Sequence, residues 1–230
     1  MRILLAALLM AFSAFIGVSA ARAADLPEYP PQVPEVDYGL QGSFYLRGSV
    51  GANALWTQEH ISTCGCITPA TAAGYGYSVG AGFGYETGTG LRFDATADYL
   101  QNDGLTDGTY TLHLKGTVAL ANVYYDIPLS GGGSAGGGFG AYVGAGAGAT
   151  FYQASVTGPG ILPPDGSGWT PTAAAVAGVT YDGGSWVADL GYRLLYMPKI
   201  SNYAPAAANR YYLNDNTVNE IRGTVRYRFQ

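Results

Sequence analysis

A chain of 230 residues with 48% hydrophobic but only 12% charged residues, and with 35 glycines and 19 tyrosines, is poorly composed for a soluble enzyme. Its formal net charge of −5 excludes a basic nucleic-acid footprint, so no nucleic-acid partner is expected. Without a presequence, what is left suits one β-domain rather than two.

The chain opens with Arg2, an apolar run from Ile3 to Val18 and small residues around Arg22. This pattern predicts a cleaved secretory signal over residues 1–23. A transmembrane anchor fits less well, because Gly17, Ser19 and the Ala-rich end suit cleavage. Residues 24–41 follow as an acidic leader that carries four of the 12 prolines, and so dense a proline run cannot pair in a sheet or continue a helix. The predicted barrel domain occupies residues 42–230.

From Ser43 onward, alternating stretches are separated by turn-forming clusters, with no helical stripe. The first places Phe44, Leu46, Gly48, Val50 and Ala52 opposite Tyr45, Arg47, Ser49, Gly51 and Asn53. A loop then carries Cys64 and Cys66, the only two cysteines, preceded by His60. In an oxidising compartment a loop disulfide or a pair of free thiols is expected there, and the further ligands a metal would need are not announced. The second strand runs over about Gly74 to Glu86. In the third, Leu91, Phe93, Ala95, Ala97 and Tyr99 alternate with Arg92, Asp94, Thr96 and Asp98, so every charge falls on one parity. Further strands are predicted over about Thr109 to Tyr125, Phe139 to Tyr152, Thr172 to Asp182 and Trp186 to Met197. The eighth sets Ile221, Gly223, Val225, Tyr227 and Phe229 against Glu220, Arg222, Thr224, Arg226 and Arg228. The fold class is therefore all-β: a closed, antiparallel, up-and-down transmembrane barrel of eight strands.

Tight turns at Thr87 to Gly90 and Asp182 to Ser185 contrast with long connections at Trp56 to Ala73, Gln153 to Gly168 and Pro198 to Asn214, as in a barrel with a periplasmic and an outer end. A secreted soluble barrel would alternate too, but its polar row would face water. Here that row is glycine in two strands, at Gly76, Gly80, Gly82 and Gly84 and again at Gly140, Gly144, Gly146 and Gly148. Such a row makes a poor solvent surface and leaves room in a narrow lumen for the long side chains of other strands. Aromatic residues near strand ends, Phe44, Tyr99, Tyr110, Tyr124, Phe139, Phe151, Tyr181, Trp186 and Tyr196 among them, read as interfacial girdles.

The lumen is then expected to hold Arg47, Arg92, Lys115, Arg193, Arg222, Arg226 and Arg228 against Glu86, Asp94, Asp98, Asp189 and Glu220, a paired structural core. A small charge-lined pore is the alternative. No enzyme, catalytic residue, cofactor or metal is expected. A lipid A hydrolase or acyltransferase would need a His and Ser pair near one membrane face, and His113 reads as inward with no adjacent serine.

The Asn122-Val123-Tyr124-Tyr125-Asp126 strand end, the Gly191-Tyr192-Arg193 step and the closing Tyr227-Arg228-Phe229 resemble the small eight-stranded outer-membrane barrels. These include the OmpA transmembrane domain, OmpX and the opacity-type surface antigens of alphaproteobacteria. The resemblance covers about Gln41 to Gln230 and implies a surface-antigen or structural role in a Gram-negative outer membrane, surrounded by lipid and lipopolysaccharide. It makes Tyr227 and Phe229 a signal to the outer-membrane assembly machinery, although Gln230 stands where the family usually ends on Phe. It also implies that Ala24-Asp25, exposed by signal cleavage, could be joined to peptidoglycan through the Ala24 amine, with an untethered leader as the alternative.

Overall fold

The computed structural model describes residues 42–62, 67–106, 111–129, 138–159, 162–202 and 211–229. The predicted signal and leader, Cys64 and Cys66, and Tyr110 lie outside these residues.

Eight strands follow one another around a closed barrel: β1 (Ser43–Ser62), β2 (Ile67–Glu86), β3 (Leu91–Thr106), β4 (Thr111–Pro128), β5 (Gly138–Thr157), β6 (Gly166–Asp182), β7 (Trp186–Ser201) and β8 (Tyr211–Arg228). Every neighbouring pair is antiparallel, and β1 closes on β8 from Tyr45↔Arg228 to Ile61↔Tyr211. Closure pairs the strands around the barrel, the condition for a spanning β-structure.

The short-turn end carries the first residue of β1 and the last of β8. There Thr87 N–H donates to the Leu91 carbonyl at 2.9 Å, and Gly90 takes φ +90°, a backbone region that other residues rarely adopt. Gly184, φ +89°, serves the β6–β7 turn, where Gly183 N–H donates to Trp186 O at 2.8 Å. Two of the three connections at this end are tight turns, the third running from Pro128 to Gly138, and in the orientation expected from the sequence this is the periplasmic end.

At the other end the strands run farther than their alternation suggests. β1 continues to Ser62, β2 begins at Ile67, β5 reaches Thr157 and β6 starts at Gly166, so much of what reads as long loop is extended hairpin. The inward positions at this end of the strands, among them Leu112, Leu114, Ala154, Val156 and Leu213, are buried, so the two-residue burial alternation continues into these extensions.

One wall is incomplete. The β6–β7 ladder stops at Ala173↔Tyr196, although both strands continue outward. Pro171 and Pro198 stand just past that point, and neither has an N–H to donate. The gap is spanned from inside by Tyr152, whose hydroxyl donates to Ser201 O and accepts from Ser201 N–H, both at 3.0 Å. Asn202 Nδ2 donates to Pro164 O at 3.2 Å across its top.

The outward face is an apolar belt. Leu46, Val50, Val79, Leu190 and Ile221 are exposed between two levels of rings. The periplasmic level holds Phe44 against Tyr85, Phe139 against Tyr181 and Trp186 against Tyr227, with centroids 4.8–5.1 Å apart. The outer level includes Trp56, Tyr77, Tyr99 and the Phe151–Trp169 pair at 5.2 Å. Tyr124 is not in either girdle: it is buried in the lumen, since it shares the parity of inward-facing Asn122.

Candidate functional site

The lumen is the only large assembly of buried charge among the described residues, and it has two storeys. The periplasmic storey is ionic. Arg228 Nε donates to Glu86 at 2.7 Å and its Nη1 to Asp182 at 2.7 Å. Arg226 takes Asp189 at 2.9 and 3.0 Å and also contacts Glu86. Arg92 makes a two-point bond to Asp126 at 2.9 and 3.0 Å and lies 4.2 Å from the Tyr124 ring centroid, within cation–π range. Arg47 donates to Asp94 at 2.5 Å and to Tyr124 Oη at 3.0 Å. Halfway up, Asp98 joins Arg193 (2.6 Å) to Arg222, and Glu220 binds Arg193 from the other side at 2.7 Å.

The glycine rows explain how so many long side chains fit. A Cβ built on Gly80 would strike the Asp98 carboxylate, one on Gly51 the Glu220 carboxylate, one on Gly144 the Tyr124 ring and one on Gly191 the Tyr142 hydroxyl. Glycine on one strand therefore receives the carboxylate or ring of another, which is how a lumen only wide enough for side chains accommodates guanidinium groups.

The outer storey is mainly apolar, with the hydrogen-bonded pairs Asn102–Asn53 (2.8 Å) and Thr57–Asn216 (2.7 Å) buried within it. Leu55, Leu100, Leu114, Val118, Leu195 and Val218 form one buried cluster that continues to Ile200 and Leu213. Nothing in the sequence reading anticipated this second storey. Its existence corrects one lumen assignment: Lys115 is exposed on the outside of β4, because the inward parity belongs to Leu112, Leu114, Gly116, Val118 and Leu120. The same parity turns His113 outward, toward Asp103 of β3. Asp126 and Asp182 complete the ion pairs but were missed. The inward positions of Asn122, Tyr124 and Asp126 on one parity were the signal for the first of them.

All the other charged residues expected in the lumen, Arg47, Glu86, Arg92, Asp94, Asp98, Asp189, Arg193, Glu220, Arg222, Arg226 and Arg228, take part in the ion pairs described above. A void of about 10 Å³ beside Arg47, Arg92, Tyr142 and Asp189 leaves room for about one water. Tyr227 and Phe229 lie together on the outer surface at the periplasmic rim, centroids 5.4 Å apart, with Phe229 N–H donating to Phe44 O at 2.9 Å. The chain's last described residue is thereby stitched to the first turn of the barrel wall.

No family model matches the chain, and no curated protein matches it. Solved structures do. Neisserial surface protein A has 21% sequence identity and a TM-score of 0.51, covering 81% of this chain and 97% of that one. Ail, the attachment invasion locus protein of Yersinia pestis, has 14% identity and a TM-score of 0.41 over 80% of this chain and 98% of its own. The outer membrane protein OprG of Pseudomonas aeruginosa has 19% identity and a TM-score of 0.44 over 81% and 96%. A closed eight-stranded wall, an apolar belt between two ring levels and a likeness to Neisserial surface protein A come together in one reading: the chain has the fold of the small eight-stranded transmembrane β-barrels.

Proposed function

We propose that the protein is a non-conducting structural and surface-display component of the envelope. The filled lumen carries this reading. Ion pairs occupy its periplasmic half, and packed leucine and valine side chains with buried hydrogen-bonded asparagines fill its outer half, so an ion would meet first a neutralised network and then a packed layer. Planar-bilayer recording should accordingly show no steady conductance steps from the purified barrel. Regular steps at constant voltage would instead support the small-solute pore.

The periplasmic leader adds a second element to the proposal. β1 begins at the short-turn end, and in this reading the leader, residues 24–41, would act on the side of the cell wall. A proline-rich segment of that length, extended at about 3.1 Å per residue, reaches about 55 Å. Tethering through Ala24 would fix the outer membrane to peptidoglycan within that span. Muropeptides from protease-digested sacculi should then carry an Ala24-Asp25 peptide on the wall. Recovery of sacculi free of it would leave the leader a simple spacer.

A further inference from the structure

Four arginines of the ionic storey, Arg47, Arg92, Arg193 and Arg222, line one void of about 10 Å³, room for a single particle the size of a water. Their carboxylate partners stand away from it. Asp94, Asp98, Asp126 and Glu220 hold these arginines, yet none of the four lines the void. The one carboxylate that does, Asp189, is engaged through both oxygens by Arg226, at 2.9 and 3.0 Å. The wall of the void is therefore the donor side of the network.

Two donors of that wall are left over. Arg47 gives Nη1 to Asp94 and Tyr124 and Nη2 to Thr224, and its Nε–H finds no acceptor among the described residues. Arg222 gives Nη2 to Ser49 and Asp98. Its Nε stands 3.4 Å from Glu220 Oε1 but is not aligned to donate there, and it too has no acceptor among the described residues. Both side chains are only 6% exposed, and an unmet N–H of a buried charged group is costly. An occupant of the void must therefore accept. A water accepts but brings two O–H groups that need acceptors of their own, in a wall whose one carboxylate is already engaged. A halide only accepts, takes donors from several sides at once and is only slightly larger than water. Sulfate and phosphate exceed the space.

We propose that this void is a halide site, filled by chloride. The Nε–H groups of Arg47 and Arg222 are its hydrogen-bond donors, and Arg92 and Arg193 add positive potential. The ion is held, not conducted, and it completes the bonding of two arginines that the carboxylates leave unfinished. The unfolded chain has no such cage, so chloride stabilises the folded barrel by mass action.

The test has two arms, both on the full chain. Crystals of the folded barrel grown in sodium bromide should show anomalous density in the void, within hydrogen-bond reach of Arg47 and Arg222 Nε. This arm needs no variant. In the second, the barrel in lipid vesicles is unfolded in urea at constant ionic strength, with chloride replacing gluconate and heat-modifiable migration counting folded molecules. Once the site is half filled, the folded-to-unfolded ratio should rise in proportion to chloride, up to about tenfold from about 0.05 to about 0.5 M. Val176 also lines the void, and Val176→Ile, which puts one more methylene into it without touching a charge, should cut that rise below about twofold. Water in place of bromide at that point, bromide only at the surface as an adventitious ion only, or the same chloride response in Val176→Ile as in wild type overturns the proposal.

Discussion

Replacing Asp98 by leucine is expected to destabilise the folded barrel by about 3–5 kcal/mol. Asp98 is wholly buried, and its two oxygens serve two different cations, Arg193 at 2.6 Å and Arg222. Leucine would leave both guanidinium groups to share Glu220, which already binds Arg193 at 2.7 Å and stands 3.4 Å from Arg222 Nε. One carboxylate cannot neutralise two arginines in a low-dielectric lumen, and the cost is that of an uncompensated buried charge rather than of one lost hydrogen bond. Asp98→Asn keeps one acceptor oxygen and should fall between leucine and wild type. Urea unfolding in lipid vesicles, read by heat-modifiable migration, measures the series. A leucine variant within about 1 kcal/mol of wild type would mean that water, not pairing, solvates these arginines.

The same pairing explains which parts of the molecule were readable in advance. Strand positions near the periplasmic end were legible because charge is confined to one parity: Arg92, Asp94 and Asp98 on β3, and Glu220 to Arg228 on β8, can only face a lumen if the other parity faces lipid. β4 was not legible in this way. Its sequence TLHLKGTVALANVYY is apolar on both parities, and treating the whole lumen as polar pulled Lys115 and His113 inward. In the barrel, the Leu112 to Leu120 row belongs to the apolar storey, and the two basic side chains are released to the headgroup side. The hydrogen-bonding contacts of His113 with Asp103 and Thr157 on the outer surface of β3, β4 and β5 were out of reach for another reason. These partners are 10 and 44 residues from His113, and only the β3–β4–β5 register sets them side by side. In a sheet the side-by-side neighbours of a residue lie across the strands rather than along the chain.

Val50→Arg is the complementary change on the other face. Val50 is 63% exposed, midway along β1 between the Phe44 and Trp56 rings, and is flanked by Val79 on β2 and Gly223 on β8. A guanidinium there meets hydrocarbon with no carboxylate within reach, and the barrel should lose about 2–4 kcal/mol. Folding yield into bilayer vesicles and the urea midpoint of the folded fraction both report the loss. Its neighbour Ser49 provides the contrast. Ser49 is buried in the lumen, accepts from Arg222 Nη2 at 2.7 Å and donates to Gly80 O at 3.3 Å; since Arg222 keeps Asp98, Ser49→Ala should cost about 1.5 kcal/mol. If Val50→Arg were as mild as Ser49→Ala, the apolar belt would not be facing lipid. Arginines are abundant inside this barrel and absent from the described belt between its ring levels. The outcome at position 50 therefore separates two explanations of that distribution, because the same charge is tolerated where a carboxylate meets it and rejected where only acyl chains do.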